Sequence, residues 1–106
     1  MVTRGEIWLV NLDPTVGSEI KKTRPCVVVS PPEMHDHLRT VIVAPMTTGS
    51  RPAPFRVAVS HNGKRGLILL DQMRAVDKAR LARKLGTVSA KTLMTTLNTL
   101  QEFFAA

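Results

Sequence analysis

Short apolar runs separated by proline, glycine and polar residues dominate the chain, a pattern typical of closely spaced β-strands. We predict strands at residues 6–12, 26–30, 41–46, 55–59 and 66–70. The run at 26–30 is continuous and rich in valine, as expected for a strand buried on both faces. Pro31 and Pro32 end it, because proline cannot donate to a β-ladder. Residues 15–23 have the polar composition of a long exposed loop. The pattern therefore predicts a small barrel.

Helical spacing appears only towards the C-terminus. We predict a helix after Ser89, a good N-cap, because four apolar residues recur there at near-helical spacing: Leu93, Leu97, Leu100 and Phe104. One face should pack on the barrel and leave Met94 or Phe103 for a partner subunit. Asp77 is placed to cap a shorter turn that runs to Ala82. The fold class is mainly β with α.

Length, charge and cysteine content indicate the number of domains, the compartment and the class of partner. The 106 residues, 43% of them hydrophobic, predict one domain spanning residues 1–106. A net charge of +7 favours a polyanionic or acidic partner, without distinguishing RNA from DNA, a membrane or an acidic peptide. The single Cys26 cannot form an intrachain disulfide, and no secretory signal is evident, so we expect a cytoplasmic protein. No apolar stretch approaches the roughly 20 residues that span a bilayer, which predicts no membrane insertion.

Three segments, in order, carry a resemblance that covers nearly the whole chain. They are Arg-Gly-Glu-Ile-Trp at 4–8 running into Asn-Leu-Asp-Pro-Thr-Val-Gly-Ser-Glu at 11–19, Thr-Arg-Pro-Cys-Val-Val-Val-Ser at 23–30, and Val-Ala-Pro-Met-Thr-Thr at 43–48. Leu-Asp-Gln at 70–72 also fits. Together they resemble the MazF/PemK family of toxins. The resemblance implies a small, SH3-like, partly open β-barrel of the MazF/PemK/CcdB type with a C-terminal helix, usually paired as a two-fold homodimer.

The same resemblance implies a function and its residues. Family members cut single-stranded RNA (mRNA) without a metal or other cofactor, leave a cyclic phosphate and a 5′-hydroxyl, and are restrained by an acidic MazE-like antitoxin. Their active residues match Arg24 and Thr47, and Glu19 matches an acidic loop position implicated in some members. A guanidinium can contact two phosphate oxygens at once, a threonine hydroxyl can donate to a nonbridging oxygen, and a carboxylate could accept the proton of the attacking 2′-hydroxyl.

Basic loops suit a single-stranded RNA, whose unpaired bases can be splayed out while cations contact phosphates. We predict five RNA-binding residues: the cations Lys21, Lys22, Arg51 and Arg56, and the hydroxyl-bearing Thr48. The chain has no tyrosine and only 4% aromatic residues, so base stacking must depend on few rings or on arginine planes.

Other polar residues favour plainer interpretations. His35, Asp36 and His37 lack a distant further ligand at a recognisable spacing, so we predict a solvated loop and no metal site. His61 lies in the turn signal before Asn-Gly, with no tie to catalysis. Cys26 is expected to pack in its strand, because no base is placed beside it.

Charged and amphipathic residues elsewhere are interpreted similarly. Lys64 and Arg65 are expected to be turn charges. Trp8 is expected to be a core residue, with a dimer interface or a groove wall as the alternatives. The Asp71-Gln72 pair is expected to form a buried polar brace, although its carboxylate could also organise an active-site loop.

Two other functions stay open. A CcdB-type gyrase-poisoning toxin would share the fold and act by binding a protein. Members of that group depend on a tryptophan-containing C-terminal end, whereas this chain ends in Phe-Phe-Ala-Ala and its one tryptophan is Trp8. A nucleic-acid-binding module without catalysis is the third alternative.

Overall fold

The computed structural model describes residues 2–20 and 22–106. Their strands are β1 (Glu6–Asn11), β2 (Thr23–Val28), β3 (Thr40–Thr47), β4 (Arg56–His61), β5 (Lys64–Leu69), β6 (Arg74–Asp77) and β7 (Leu81–Thr87). Two helices, α1 (Pro32–His35) and α2 (Ala90–Phe103), and two 3-10 turns, Leu70–Gln72 and Lys78–Arg80, complete the fold. All strand pairs are antiparallel, in the order β4-β5-β3-β2-β1-β7, and β6 pairs with the first half of β3. The sheet curls into a half-barrel, which confirms the predicted fold class.

Two strands, β6 and β7, escaped prediction. β7 lies at one end of the sheet, pairs with β1 through a register with two irregularities, and exposes most of its side chains. An edge strand of this kind carries no apolar alternation, so its sequence does not look like a strand. The turn expected after Asp77 is present: the carboxylate accepts a hydrogen bond from Ala79 N at 2.8 Å. It ends at Arg80, before Ala82.

The strand segment at residues 26–29 is buried on both faces, as its valine-rich run predicted. Val27 and Val29 belong to one hydrophobic cluster, which Leu93 and Leu100 of α2 cover. Cys26 and Val28 point the other way, into a second cluster. Successive residues of β2 therefore supply alternate cores, which fixes the register of the strand that carries Arg24.

The C-terminal helix begins where predicted. Ser89 Oγ accepts a hydrogen bond from Thr92 N at 3.1 Å, and one face packs on the first cluster. Met94 and Phe103 are exposed, as expected of residues left for a partner. The prediction that Phe104 packs on the barrel was wrong, because this residue is the C-cap of the helix and is 68% exposed.

The solvated loop that we predicted at residues 35–37 is present only in part: Asp36 and His37 are exposed, but His35 belongs to a short helix and is buried. Proline at the first helical position suits a helix start, and α1 turns His35 inward until it is 2% exposed. Its Nε2 lies 2.5 Å from Ser30 Oγ, and that hydroxyl also accepts from Ile42 N at 2.9 Å. His35 is thus a structural residue between β2 and β3.

Candidate active site

The site forms where the ladder between β2 and β3 ends. The paired residues are Val28 with Val43, Val27 with Ala44, and Cys26 with Pro45. Prolines at 25 and 45 have no N–H to donate, which explains why pairing stops there. Continuing the same register by two residues places Arg24 opposite Thr47. Directly opposite residues of an antiparallel pair project from the same face, so both side chains reach the opening between the strands.

A cavity of about 230 Å³ occupies this opening. Its lining consists of Arg24, Pro25, Met46, Thr47, Thr48, Val59, His61, Lys64 and Gly66. Met46 and Val59 give it an apolar base continuous with the first core cluster. The polar side chains of the lining are cations, hydroxyls and an imidazole, with no carboxylate among them. Such a lining suits an anionic group held against hydrogen-bond donors.

The hairpin of β4 and β5 forms one wall. Along β4, Val57 and Val59 are buried in the first core cluster, and His61 follows at the same spacing of two. Lys64 is the direct partner of His61 across the hairpin, so both project towards the cavity. From the sequence, both residues were predicted to be turn residues, with no part in the site. The signal that could have found His61 is the alternation of the two valines, continued by one more step.

Gly66 forms the floor beneath Thr47. A Cβ at residue 66 would lie 2.7 Å from the carbonyl oxygen of Thr47, closer than real Cβ contacts come. The absence of a side chain lets β5 approach the end of β3 and leaves the cavity open.

Thr47 is positioned as a hydrogen-bond donor. Its Oγ1 accepts from Gly49 N at 3.2 Å, which leaves its own O–H to donate to another group. Thr48, the next residue, is exposed at the mouth of the same cavity. Arg24 and Thr47, which the resemblance paired as active residues, therefore share one cavity.

Glu19 is not brought into that cavity. Its carboxylate accepts from Val16 N at 2.6 Å and lines a neighbouring cavity of about 320 Å³ together with Asp71, Gln72 and Arg74. Gln72 Oε1 accepts from the backbone N of Ile20 at 2.7 Å and so ties the loop to the 3-10 turn. The loop is held where Glu19 faces the second cavity.

Two predicted RNA contacts, Arg51 and Arg56, lie outside the Arg24 cavity. Arg56 Nε and Nη2 donate to the two carboxylate oxygens of Asp71 at 3.2 and 3.1 Å, and Nη1 donates to the carbonyl oxygen of Arg51 at 2.9 Å. The hydrogen bond to Asp71 raises the pKa of the Arg56 guanidinium above its ordinary value. The predicted brace exists, but the prediction that it is buried was wrong, because Asp71 is exposed.

The lysines of the loop are the remaining predicted contacts. Lys22 is exposed, has a positive φ of 67°, and donates its backbone N–H to Asp13 Oδ1 at 3.0 Å. Lys21 lies outside the described residues.

Cys26 is confirmed as a packed residue. It is fully buried, and burial raises the pKa of its thiol to about 12. A thiol so far from ionisation is no nucleophile near neutral pH. Trp8 is half-buried, packs against the second cluster and donates Nε1–H to Glu6 Oε1 at 3.1 Å.

Within residues 2–20 and 22–106, no three histidine, cysteine, aspartate or glutamate side chains are grouped to hold a metal ion. Over the same ranges, no helix combines the length and apolar character needed to cross a bilayer.

The half-barrel and its cavity of cations and hydroxyls define a small basic protein whose cavity has a lining suited to an anionic group. Residues 3–104 match the family model described as PemK-like, MazF-like toxin of type II toxin-antitoxin system. The chain therefore belongs to the PemK-like, MazF-like toxin family of type II toxin–antitoxin systems.

Individual relatives agree with this membership. The chain is 43% identical over 91 residues to the endoribonuclease PemK of Escherichia coli, covering 80% of this chain and 68% of that protein. It is 38% identical over 90 residues to the endoribonuclease toxin MazF of Escherichia coli K12, covering 84% and 81%. Among solved structures, MazF from Deinococcus radiodurans superposes with a TM-score of 0.84 at 26% identity, over 96% of this chain and 94% of that one. An endoribonuclease from a mycobacterial species, solved in complex with its cognate antitoxin, shares the fold with a TM-score of 0.81 at 22% identity, over 96% and 93%.

Proposed function

We propose that this toxin is an endoribonuclease that cuts single-stranded RNA, mRNA above all, by metal-independent attack of the RNA's own 2′-hydroxyl. The observation that carries the proposal is the shared cavity of Arg24 and Thr47, whose lining holds cations and hydroxyls and no carboxylate. Relatives named as endoribonucleases at 43% and 38% identity support it.

Each residue has a task that its chemistry suits. Transesterification passes through a phosphorane that carries extra negative charge on its nonbridging oxygens. The guanidinium of Arg24 is permanently cationic and can contact two of those oxygens at once. The hydroxyl of Thr47 donates to one oxygen without adding charge, and Thr48 lies beside it as a second donor.

The reaction also needs a group that accepts the proton of the attacking 2′-hydroxyl. The resemblance implicates Glu19, but its carboxylate lies in the neighbouring cavity and accepts from its own loop at Val16 N. Glu19 can serve at the phosphate only if the loop moves over the Arg24 cavity.

The path of the RNA follows the positive charge of the protein. Lys64 lines the Arg24 cavity, and Lys22 is exposed on the loop between β1 and β2. We propose contacts with the RNA for Lys21, Lys22, Thr48, Arg51 and Arg56. DNA lacks the attacking 2′-hydroxyl, so it is expected to bind without being cut.

We also propose a homodimer in the cytoplasm, restrained by an acidic MazE-like antitoxin. Met94 and Phe103 leave apolar surface exposed on α2, which suits a partner subunit. A disordered acidic tail would complement the net charge of +7 and block RNA by occupying the groove.

The test is incubation of the purified protein, in excess chelator, with a long single-stranded RNA and the DNA of matching sequence. Discrete RNA cuts with 5′-hydroxyl ends, absent for DNA and for Arg24→Ala, are the expected result. Arg39→Ala is the matched control, because that side chain is 88% exposed and lies outside the cavity. Intact RNA with the wild-type protein would overturn the proposal and favour a gyrase-binding or binding-only toxin.

A further inference from the structure

His61 has an unusual environment for a histidine near a turn. Its Nε2 atom is buried and has no hydrogen-bond partner in the part of the chain that the structure describes. The adjoining Cε1–Nδ1 edge of the ring lies close to β7, where a Cβ at Gly86 would come within 3.3 Å of Cε1 and 3.9 Å of Nδ1. Most buried side-chain nitrogens are hydrogen-bonded, so an unsatisfied nitrogen on a residue that lines a cavity favours a ligand contact at that residue.

The cavity provides several groups that can hold a phosphate and one suited to take up a proton. Two of these groups are the cations Arg24 and Lys64. The hydroxyls of Thr47 and Thr48 can act as hydrogen-bond donors. Imidazole is the side chain whose ordinary titration falls near neutral pH. Among the residues that the structure describes, no aspartate or glutamate lines this cavity. His61 is therefore the lining residue with the chemistry of a general base.

We propose that His61 is the proton acceptor for the attacking 2′-hydroxyl, and hence a catalytic residue beside Arg24 and Thr47. The assignment rests on the proposed endoribonuclease function, which supplies the hydroxyl. It extends that function to a residue that the family motifs in this chain do not include.

The step balances without a further reactant. The lone pair of Nε2 takes the 2′-hydroxyl proton while the 2′-oxygen forms its bond to phosphorus. The bond from phosphorus to the 5′-oxygen breaks, and the 5′-oxygen leaves with the bonding pair and takes a proton from solvent. The products are a 2′,3′-cyclic phosphate and a 5′-hydroxyl end, and the imidazolium returns its proton to solvent.

The first experiment compares wild type with His61→Gln, which keeps a polar group of similar reach but cannot titrate near neutral pH. Single-turnover cleavage of a short RNA spanning a cut site mapped with wild type is followed from about pH 5 to 9 in chelator. We expect the variant to lose roughly 100-fold or more in rate and to lose the acidic limb of the wild-type pH profile. Its affinity for the same oligonucleotide with a 2′-deoxy residue at the cut site should stay within about threefold of wild type. His37→Gln, on an exposed histidine, is the control and should follow the wild-type profile.

A second experiment tests the chemistry independently of folding. His61→Ala removes the ring beside Gly86, and added free imidazole should restore part of its rate in proportion to the neutral form of the base. Rescue with that pH dependence would support the assignment, because a purely structural histidine would not respond to a base.

Two results would overturn the proposal for His61 while leaving the function intact. One is His61→Gln cutting at the wild-type rate with an unchanged pH profile. The other is a loss of cleavage rate in His61→Gln that disappears when sulfur replaces the 5′-bridging oxygen of the RNA. A thiolate leaves without protonation, so that result would make His61 the proton donor to the leaving group. Wild-type protein that fails to cut any RNA would refute the endoribonuclease function itself, and the proposal for His61 with it.

Discussion

Gly66 lies so close beneath Thr47 that a Cβ at residue 66 would come within 2.7 Å of the Thr47 carbonyl oxygen. The strand pair Met46–Ile68 and Thr47–Leu67 holds the two segments at this separation. A backbone contact of this kind cannot be relieved by a side-chain rotation, so any larger residue must push β3 and β5 apart.

Gly66→Ala should therefore displace Thr47 and lower RNA cleavage while the fold survives. We expect a stability loss of about 1–3 kcal/mol from the overpacking and a roughly 10- to 100-fold slower cleavage from the misplaced donor. Thermal unfolding and single-turnover cleavage below the transition measure the two effects separately. Ala75→Val adds volume on an exposed residue of β6 and should change neither. If Gly66→Ala cut RNA at the wild-type rate, the proposal that cleavage depends on the position of Thr47 would be wrong.

Glu19→Gln decides whether the loop carboxylate takes part in proton transfer. The variant keeps an oxygen that can accept from Val16 N, a bond of 2.6 Å in the wild type, so the loop should stay in place. With His61 as the acceptor, we expect less than about a tenfold change in the rate, and the pH profile should keep its acidic limb. A loss comparable to that of His61→Gln, together with loss of that limb, would assign the proton to Glu19 instead.

Cys26 provides a chemical probe of the second core cluster. Its pKa of about 12, against an ordinary 9.0, lowers the thiolate population at pH 8 roughly 1000-fold. We expect iodoacetamide to leave the native protein unmodified for hours and to modify it rapidly in urea, as followed by mass spectrometry. Ser18→Cys, which adds a thiol on the exposed loop, should react once per chain without denaturant. Rapid native labelling of Cys26 would mean that β2 opens more readily than its burial indicates.

The sequence predicted the elements whose hydrophobic pattern is regular, and it failed where polar side chains form the structure. The valines of β2 and the cap at Ser89 indicated a doubly buried strand and a terminal helix, and both are present. β7 was missed because an edge strand needs no apolar alternation.

The site was predictable only in part, because it depends on distances across the fold. The meeting of Arg24 and Thr47 depends on the β2–β3 register, which spacing along the chain does not reveal, and only the resemblance paired them. His61 was assigned to a turn because the Asn-Gly signal outweighed the alternation that continues from Val59. The placement of Glu19 depends on a loop that Gln72 holds from a distant turn.

The ionisation of Glu6 should make the free energy of unfolding depend on pH in the acidic range. One carboxylate accepts from Thr3 N at 2.9 Å and Trp8 Nε1 at 3.1 Å, and pairs with Lys84 Nζ at 2.9 Å, which links β1 to β7. Burial by itself raises the pKa of Glu6, but these hydrogen bonds and the lysine charge outweigh it and hold the pKa below the ordinary 4.5. The unfolded chain therefore binds the proton more readily than the folded one. The stabilisation is fully present above about pH 4.5 and is lost as the pH falls through the folded-state value.

Glu6→Gln tests this directly, with Trp8, the chain's one tryptophan, as the fluorescent reporter. At neutral pH the variant should lose about 1–2 kcal/mol of unfolding free energy in urea, because its carboxamide cannot replace the charged contacts. The difference from wild type should shrink as the pH falls below about 4, where the wild-type carboxylate is itself becoming protonated. Glu102→Gln, at an exposed position near the end of α2, should lie on the wild-type curve throughout. A gap between Glu6→Gln and wild type that stays constant down to pH 3 would mean that packing, and not the charge of Glu6, joins β1 to β7.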